Sequence, residues 1–329
     1  MASTKMPGVT TASGSMPRSR RARSTSSRAA CIARFVAATG AEVWGNGADR
    51  HRLPPLDRAL AAAGAPVSID TRNAATMRAA LDAGALALAE RARGLKINNK
   101  AGGSPVTSGD LKVDAMLRER LLGARPDYGW LSEETADSPE RLEKRRIFVV
   151  DPVDGTVAYM KGKPWWCTPI AVVEDGRPIA AVIHTPALGE TFEATRGGGA
   201  RLNGETIRAS QTGMLEDARV LADARIFRDA RWAEPWPEMR YESRNALAYR
   251  MALVATGTFD AALALAPKWD WDVAAGALIA EEAGAVVSDH RGDAWRFNQP
   301  DPRQNSLVCT APGLHAEIIR RCGSLPGSP

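Results

Sequence analysis

The dipeptide Asp175-Gly176 joins two apolar runs, at 168–173 and 179–184, and this short link constrains the possible folds most strongly. Asp-Gly between alternating apolar runs is a strong signal for a two-residue hairpin turn. Strands joined this tightly must be antiparallel neighbours, because parallel strands need a long crossover connection. A further run at 191–194 extends the pattern. The middle of the chain therefore predicts an antiparallel meander and disfavours a Rossmann-type cofactor fold.

Helical patterns lie on both sides of this meander. Before it, Asp70 or Thr71 can cap a helix, and a second helix is expected at 110–122 with Leu111, Val113, Met116, Leu117 and Leu121 mostly inward. The inward stripe predicted for the first helix is Ala74, Met77, Leu81, Ala85 and Leu88. A strand is predicted at 146–150, and after the meander we expect helices at 245–256, 272–283 and 314–321 and a strand at 285–288. Helices and strands in blocks indicate a layered α/β sandwich.

The chain of 329 residues has a net charge of +5, but its positive charge is unevenly distributed. The first 41 residues contain no acid and seven cations, so the remainder is mildly acidic, which argues against a nucleic-acid groove. We expect residues 1–67 to form a basic extension with little fixed structure, which a transit peptide or, as we favour, translated upstream sequence would explain. Subdomains are expected at 68–205, with the metal site, and at 206–322, followed by a tail at 323–329.

No apolar stretch approaches the roughly 20 residues that a membrane-spanning helix needs. Four cysteines, Cys31, Cys167, Cys309 and Cys322, are scattered without metal-binding or disulfide-like spacing. We expect Cys167 and Cys309 to be small buried residues. The composition favours a protein of the reducing cytoplasm without a membrane or nucleic-acid partner.

The segment Asp151-Pro152-Val153-Asp154-Gly155-Thr156 directly follows the predicted strand at 146–150. Two acids at a strand end can converge on one point, and like charges held together need a cation. Oxygen-only ligands without His or Cys favour Mg²⁺. Gly155 allows close approach of a ligand, and Thr156 can open a short helix whose N–H groups face an anion. The alternative is an Asp-Pro turn followed by an Asp helix cap.

Two more acidic sites have similar open interpretations. Glu133-Glu134 follows Trp130-Leu131-Ser132, which is either a buried strand ending in paired acids or a helix start capped by Ser132. Asp272, in Trp269-Asp270-Trp271-Asp272, can cap the following small-residue helix, bind a metal, or do both. The small residues of that helix would let other backbone approach closely.

Together, Asp110, Glu133-Glu134, the 151–156 segment and Trp271-Asp272 resemble in order and spacing the signature of the inositol monophosphatase superfamily of Mg²⁺-dependent, lithium-sensitive phosphatases. The resemblance covers roughly residues 68–321 and includes Gly198-Gly199-Ala200 with Leu202-Asn203-Gly204. It implies a layered αβαβα sandwich like that of inositol monophosphatase and fructose-1,6-bisphosphatase, and a possible homodimer.

The resemblance also implies site roles. Two or three Mg²⁺ ions would be held by Glu133, Asp151, the Val153 carbonyl, Asp154 and Asp272, with Asp151 bridging two ions and Li⁺ inhibiting. Asp110 and Thr156, with Glu133, would act in catalysis. The substrate phosphate would be bound by the Gly155 and Thr156 amides near Asp154 and Asp272.

The resemblance leaves the small phosphomonoester substrate open. Residues 262–267 are entirely apolar, whereas the inositol-specific branch usually has a glutamate there. Ser104-Pro105-Val106-Thr107 and Pro186-Ala187-Leu188-Gly189 look more like the branch that cleaves 3′-phosphoadenosine 5′-phosphate to AMP and phosphate. That branch often has a basic residue where this chain has Val157, and Lys161 or Lys163 could replace it. Inositol 1-phosphate and histidinol phosphate are the alternatives.

Two rival interpretations remain. A haloacid dehalogenase-type phosphatase has its two acids in an Asp-x-Asp pattern, whereas Asp151 and Asp154 are three residues apart, and an antiparallel meander follows them. A catalytically silent family member could instead use its basic N-terminal arm to bind RNA or membrane. The complete set of acids argues against that loss of activity.

Overall fold

The computed structural model describes residues 71–100, 102–230 and 232–323. The predicted cap Asp70, the 1–67 extension and most of the 323–329 tail lie outside these residues. The elements up to the end of the first large sheet are α1 (Thr71–Arg93), β1 (Ile97–Asn99), β2 (Pro105–Thr107), α2 (Ser108–Ala124), β3 (Gly129–Ser132), β4 (Arg146–Val150), α3 (Thr156–Met160), β5 (Thr168–Glu174), β6 (Arg177–Thr185), β7 (Glu190–Thr195), β8 (Ala200–Leu202) and β9 (Glu205–Thr206).

The elements that follow alternate between short strands and helices. They are β10 (Arg219–Leu221), α4 (Ala224–Phe227), β11 (Arg240–Glu242), α5 (Leu247–Ala255), β12 (Ala261–Ala264), β13 (Lys268–Trp269), α6 (Asp270–Glu282), β14 (Val286–Ser288), β15 (Arg303–Gln304), β16 (Leu307–Thr310) and α7 (Pro312–Cys322). A 3₁₀ helix, Pro139–Glu143, connects β3 to β4.

The first large sheet has the strand order β3-β4-β5-β6-β7-β8-β9. Every neighbouring pair from β4 to β9 is antiparallel, and only β3 runs parallel to its neighbour β4. At the β5–β6 turn, Asp175 has φ 51° and Gly176 has φ 81°. Positive φ at both central residues is what the favoured two-residue hairpin turn requires. The predicted meander and its turn are therefore confirmed.

Alternating residues of β4 face two different cores. Phe148 and Val150 pack in a cluster with residues of α1 and α2, such as Ala83 and Leu117. Ile147 and Val149 pack on the other face with residues of α5 and α6. This alternation is the period of two expected for a strand buried on both faces.

Helices α5 and α6 also cover the second sheet, whose strand order is β11-β10-β12-β16-β14. Leu221, Ala262 and Cys309 of this sheet belong to the same cluster as α5 and α6. The opposite face packs against α7 through Val308 and Ile318. The layers therefore run helix, sheet, helix, sheet, helix, which confirms the predicted αβαβα sandwich.

The close packing of α5 on α6 depends on small residues, as the sequence predicted for the helix after Asp272. A Cβ added to Gly276 would lie 2.8 Å from the Met251 Cβ. That distance is too short for any larger residue without movement of the neighbouring helix.

Two details of the predicted helices were wrong. On α1 the buried face is Thr76, Ala79, Ala80, Ala83 and Ala87, while Ala85 of the predicted stripe is exposed. The helix lies so close to β6 that a Cβ on Gly84 would meet the His184 ring at 2.5 Å, so its smallest side chains face inward. On α2, Leu111 is exposed, whereas Val113, Leu117 and Leu121 are buried as expected.

Cys167 and Cys309 are buried free thiols, as predicted, and Cys322 is buried as well. Cys31 lies outside the described residues. Within the described ranges, none of the helices combines the length and apolar character needed to cross a bilayer.

Candidate active site

The paired parallel strands β3 and β4 bring two acids to one sheet edge. Ser132 and Val150 are partners in the ladder, so Glu133 and Asp151 follow at the same end of the two strands. The Glu133 N–H donates to the Val150 carbonyl oxygen at 3.3 Å. The strand interpretation of the acidic pair is therefore confirmed, and a helix capped by Ser132 is ruled out.

The turn after β4 is held by the Asp151 carboxylate and by the start of β5. The Val153 N–H donates to Asp151 Oδ1 at 2.9 Å, and Thr168 Oγ1 donates to the Pro152 carbonyl at 2.8 Å. Gly155 has φ 93°, a left-handed conformation that favours glycine. A Cβ there would lie 3.1 Å from the Ala246 N atom, so a larger residue would require this backbone to shift by a few tenths of an ångström.

Asp154 joins this turn to the second half of the fold. Its Oδ1 accepts the Leu247 N–H at 3.0 Å, and its Oδ2 accepts the Ala248 N–H at 2.7 Å. Both N–H groups lie at the start of α5, where a helix has unpaired donors and a partial positive charge. Each carboxylate oxygen still has acceptor capacity for another partner.

Asp110 and Thr156 meet across the site. Asp110 lies at the third position of α2, where its Oδ2 accepts the N–H of Thr107 at 2.9 Å and the hydroxyl of Thr107 at 2.5 Å. This is a capping box, which fixes the carboxylate. Its other oxygen, Oδ1, accepts Thr156 Oγ1 at 3.1 Å, and Thr156 Oγ1 also lies 3.2 Å from the Val153 carbonyl oxygen.

Asp272 reaches the site from the first turn of α6. The Trp269 N–H donates to Asp272 Oδ2 at 3.1 Å, so this carboxylate does act as a helix cap. It also lines the same pocket as Glu133, Asp154, Gly155 and Thr156. Asp272 can therefore cap α6 and still face a ligand in the pocket.

The acids repel one another strongly. Burial, followed by the charges of Glu133, Asp154, Asp272 and Asp110, raises the pKa of Asp151 well above its ordinary value. Burial raises the pKa of Asp154 to about 6, although the Ala248 and Leu247 N–H groups oppose this. Asp151 thus lies at the centre of a group of carboxylates that has too little positive charge around it.

The pKa values of the outer acids are raised for similar reasons. Burial and then the charges of Asp154 and Glu133 raise the pKa of Asp272 to about 8. Burial also raises the pKa of Glu134 to about 7, against the effect of Lys100. Burial raises the pKa of Asp110, with the hydrogen bonds from Thr107 and Thr156 opposing it.

The donor set fits a hard cation. All the side-chain donors are carboxylate or hydroxyl oxygens, the ligands that Mg²⁺ prefers. Lys100 marks one place for positive charge, because its Nζ lies 2.6 Å from Glu133 Oε1 and 2.8 Å from Glu134 Oε1. Among residues 71–100, 102–230 and 232–323, no three His, Cys, Asp or Glu side chains form a ready metal cage in these conformations.

The pocket above these acids has a volume of about 310 Å³, enough for a small ligand. Asp110, Asp151 and Val153 are not among its lining residues. Its other walls include Ser104, from a segment named in the sequence analysis, and three side chains that the sequence did not single out: Asn245, Arg250 and Lys268. The pairing of β1 with β2 places Lys100 beside Glu133, and no local pattern in the sequence signals that contact. Lys161 and Lys163, which could have replaced the basic residue expected at Val157, are not in the lining.

Comparison with known proteins gives consistent matches over the described fold. The sequence model of the Inositol monophosphatase family matches residues 69–325. The histidinol-phosphatase of Mycobacterium tuberculosis is 31% identical over 258 residues, which is 72% of this chain and 95% of that protein. The Nus factor SuhB of Xylella fastidiosa is 35% identical over 210 residues, which is 60% of this chain and 74% of that protein. The solved structure of an IMPase from Thermotoga maritima is 25% identical in sequence, with a TM-score of 0.64. The match covers 76% of this chain and 96% of that protein.

Proposed function

The chain belongs to the inositol monophosphatase family, whose members hydrolyse phosphomonoesters, and we propose that its substrate is 3′-phosphoadenosine 5′-phosphate, cleaved to AMP and phosphate. The phosphatase activity follows from membership of the family. The substrate, the metal and the residue roles are our proposals. The observation that carries them is the group of buried, mutually repelling carboxylates beneath a small pocket.

We assign the cation sites to Glu133, Asp151, the Val153 carbonyl, Asp154 and Asp272. Bound Mg²⁺ would supply positive charge to the phosphoryl oxygens and make nearby water more acidic. The raised pKa values support this assignment, because a cation would relieve the repulsion that raises them. Lys100 must leave Glu133 when a cation binds there, since the two positive charges compete for one carboxylate.

We assign the orientation of the attacking water to Thr156 and Asp110, with Glu133 assisting. The Thr156 hydroxyl can accept a hydrogen bond from water while its own hydrogen points to Asp110 Oδ1 at 3.1 Å. Asp110 cannot turn away, because its other oxygen is bound by Thr107. The Gly155 and Thr156 N–H groups would hold the phosphate, near Asp154 and Asp272. A water nucleophile requires no covalent phospho-enzyme.

The choice of a nucleotide over inositol 1-phosphate rests on the pocket wall. Ala264 lines the pocket, in the apolar 262–267 stretch where a glutamate would be suited to bind ring hydroxyls. Neutral hydroxyl groups of inositol would find no carboxylate there. Histidinol phosphate is the second candidate, because the M. tuberculosis relative that carries this name is matched over nearly its whole length.

The test is phosphate release from 3′-phosphoadenosine 5′-phosphate, inositol 1-phosphate and histidinol phosphate, assayed side by side with Mg²⁺, without it and with added Li⁺. We expect the nucleotide to give the highest kcat/KM, with no turnover without Mg²⁺ and inhibition by Li⁺. Preference for either other substrate would replace the nucleotide proposal. Failure with all three would favour the binding-protein alternative.

We also propose that the protein works in the cytoplasm, which the free buried thiols of Cys167, Cys309 and Cys322 support. A homodimer is part of the same proposal. Sedimentation of the purified chain tests the dimer, and a single species of monomer mass at micromolar concentration would exclude it.

A further inference from the structure

Two cationic side chains, Lys268 and Arg250, line the pocket of the acids. They differ in whether the charged group already has a hydrogen-bond partner. The guanidinium of Arg250 is bound to the backbone of Arg244, because its Nε donates to the Arg244 carbonyl at 2.5 Å and its Nη2 donates to the same oxygen. Lys268 is half-buried, yet its ammonium group makes no hydrogen bond or ion pair with any described residue.

The backbone beneath Lys268 is held in place. Lys268 pairs with Gln304 in the β13–β15 ladder, and α6 begins two residues later. The neighbouring rings of Trp269 and Trp271 stack with centroids 4.8 Å apart and planes at 9°. The backbone of Lys268 is thus held at the pocket wall, while its half-buried ammonium group has no hydrogen-bond partner among the described residues, so an anionic group that binds there would supply one.

We infer that Lys268 binds a second anionic group of the substrate, separate from the phosphate that is cleaved. The inference rests on the proposed function, because it takes this pocket to be the phosphatase site. It defines a substrate class, namely phosphomonoesters with a further phosphate or carboxylate group. Inositol 1-phosphate has only neutral hydroxyl groups besides its phosphate, and the ammonium of histidinol phosphate would be repelled by Lys268.

A different role for Lys268 is to balance the charge of Asp272. The lysine lies near enough to lower the pKa of that carboxyl, although burial and the other acids dominate. A charge-balancing lysine would affect every substrate equally. A lysine that binds the second anion would affect only substrates that carry it, so the two roles predict different kinetics.

The experiment compares 3′-phosphoadenosine 5′-phosphate with adenosine 3′-monophosphate, which has the same scissile phosphate and no 5′-phosphate. The variants are Lys268→Met, Lys268→Arg and, as a matched control, Lys161→Met, which removes an exposed lysine outside the pocket. The readout is the ratio of kcat/KM for the two nucleotides. Binding of the same pair is measured by calorimetry with Ca²⁺ in place of Mg²⁺.

We expect Lys268→Met to reduce the ratio by about 10- to 100-fold, mainly through KM, because one hydrogen bond between charged groups is lost. Lys268→Arg should restore most of the ratio, and Lys161→Met should leave it unchanged. An equal loss for both nucleotides, or a loss in Lys161→Met alone, would overturn the inference. If the native protein hydrolyses neither nucleotide, the substrate proposal fails, and the calorimetric ratio alone decides whether Lys268 selects a second anion.

Discussion

Thr156 Oγ1 donates to Asp110 Oδ1 across 3.1 Å, although the two residues are 46 positions apart. One residue opens a five-residue helix after a strand, and the other belongs to the capping box of α2. Neither side chain is placed by its own element alone. Their contact depends on the packing of α2 against the sheet edge, and it ties the geometry of the turn at 151–156 to that helix.

Replacing Thr156 by Val should therefore reduce kcat by about 100- to 10,000-fold, the range that proton-transfer groups contribute. Thr156→Ser keeps the hydroxyl and should retain most activity. Steady-state kinetics on the best substrate gives the comparison. Equal activity of the Val and Ser variants would remove Thr156 from the proposed mechanism.

Asp151→Asn should have opposite effects on activity and on the stability of the metal-free protein. The substitution removes a proposed Mg²⁺ ligand, so turnover should fall by about 100-fold or more, as for loss of a key electrostatic group. It also removes a charge that four acids repel, so the melting temperature in EDTA should not fall and is expected to rise. A large drop in melting temperature would show that Asp151 is needed for folding.

Mg²⁺ should raise the melting temperature of the native chain, because a ligand that binds only the folded state stabilises it by mass action. At a concentration of 100 times its Kd, the gain is about 2.7 kcal/mol. Thermal melts with EDTA and with increasing Mg²⁺ measure this stabilisation. Asp151→Asn serves as the control, in which Mg²⁺ should raise the melting temperature less. No shift in the native protein would contradict the proposed cation site.

The ion pair between the buried Asp260 and the partly exposed Arg219 predicts a pH dependence of stability away from the candidate active site. The Arg219 N–H and Nε lie 2.8 and 3.0 Å from Asp260 Oδ2, and Ser210 Oγ lies 2.6 Å from Oδ1. Burial alone would raise the pKa of Asp260, but these donors outweigh it and lower the pKa to about 2.

Because the folded pKa of Asp260 lies below the unfolded value, its contribution is complete above pH 4 and is lost as the pH falls toward 2. The contribution is about 1–2 kcal/mol, allowing for the partly exposed arginine. Urea unfolding should show Asp260→Asn less stable than the native chain at pH 7, with the difference narrowing below pH 4. A difference that does not change with pH would mean that the charge of Asp260 is not what stabilises the fold.

The parts of the fold that local pattern determines were predictable. The run of β-branched and aromatic residues at 146–150 has the same bounds as β4, because alternating side chains reach two cores and a proline follows at 152. The face of α1 was not predictable from hydrophobicity. Alanines lie on several sides of this helix, and the distance to β6 decides which of them are buried.

The acids of the site could be predicted because they follow strand ends or begin helices, which are local signals. Lys100 and Lys268 could not, since each is placed by a strand pairing, of β1 with β2 and of β13 with β15, that no motif in the sequence marks. The contact of Asp154 with the start of α5 could not be predicted either, because it depends on tertiary packing. Sequence shows which side chains carry charge, and tertiary packing decides which of them meet.

The hydrogen bonds that Leu247 and Ala248 donate to Asp154 can form only late in the synthesis of the chain. The donors lie 93 and 94 residues after the carboxylate, and Asp272 comes later still. During synthesis from the N-terminus, the acidic turn at 151–156 is exposed long before the helices that complete it have been translated. A chain truncated before α5 would lack the Leu247 and Ala248 donors to Asp154, so we predict that such a chain has no activity.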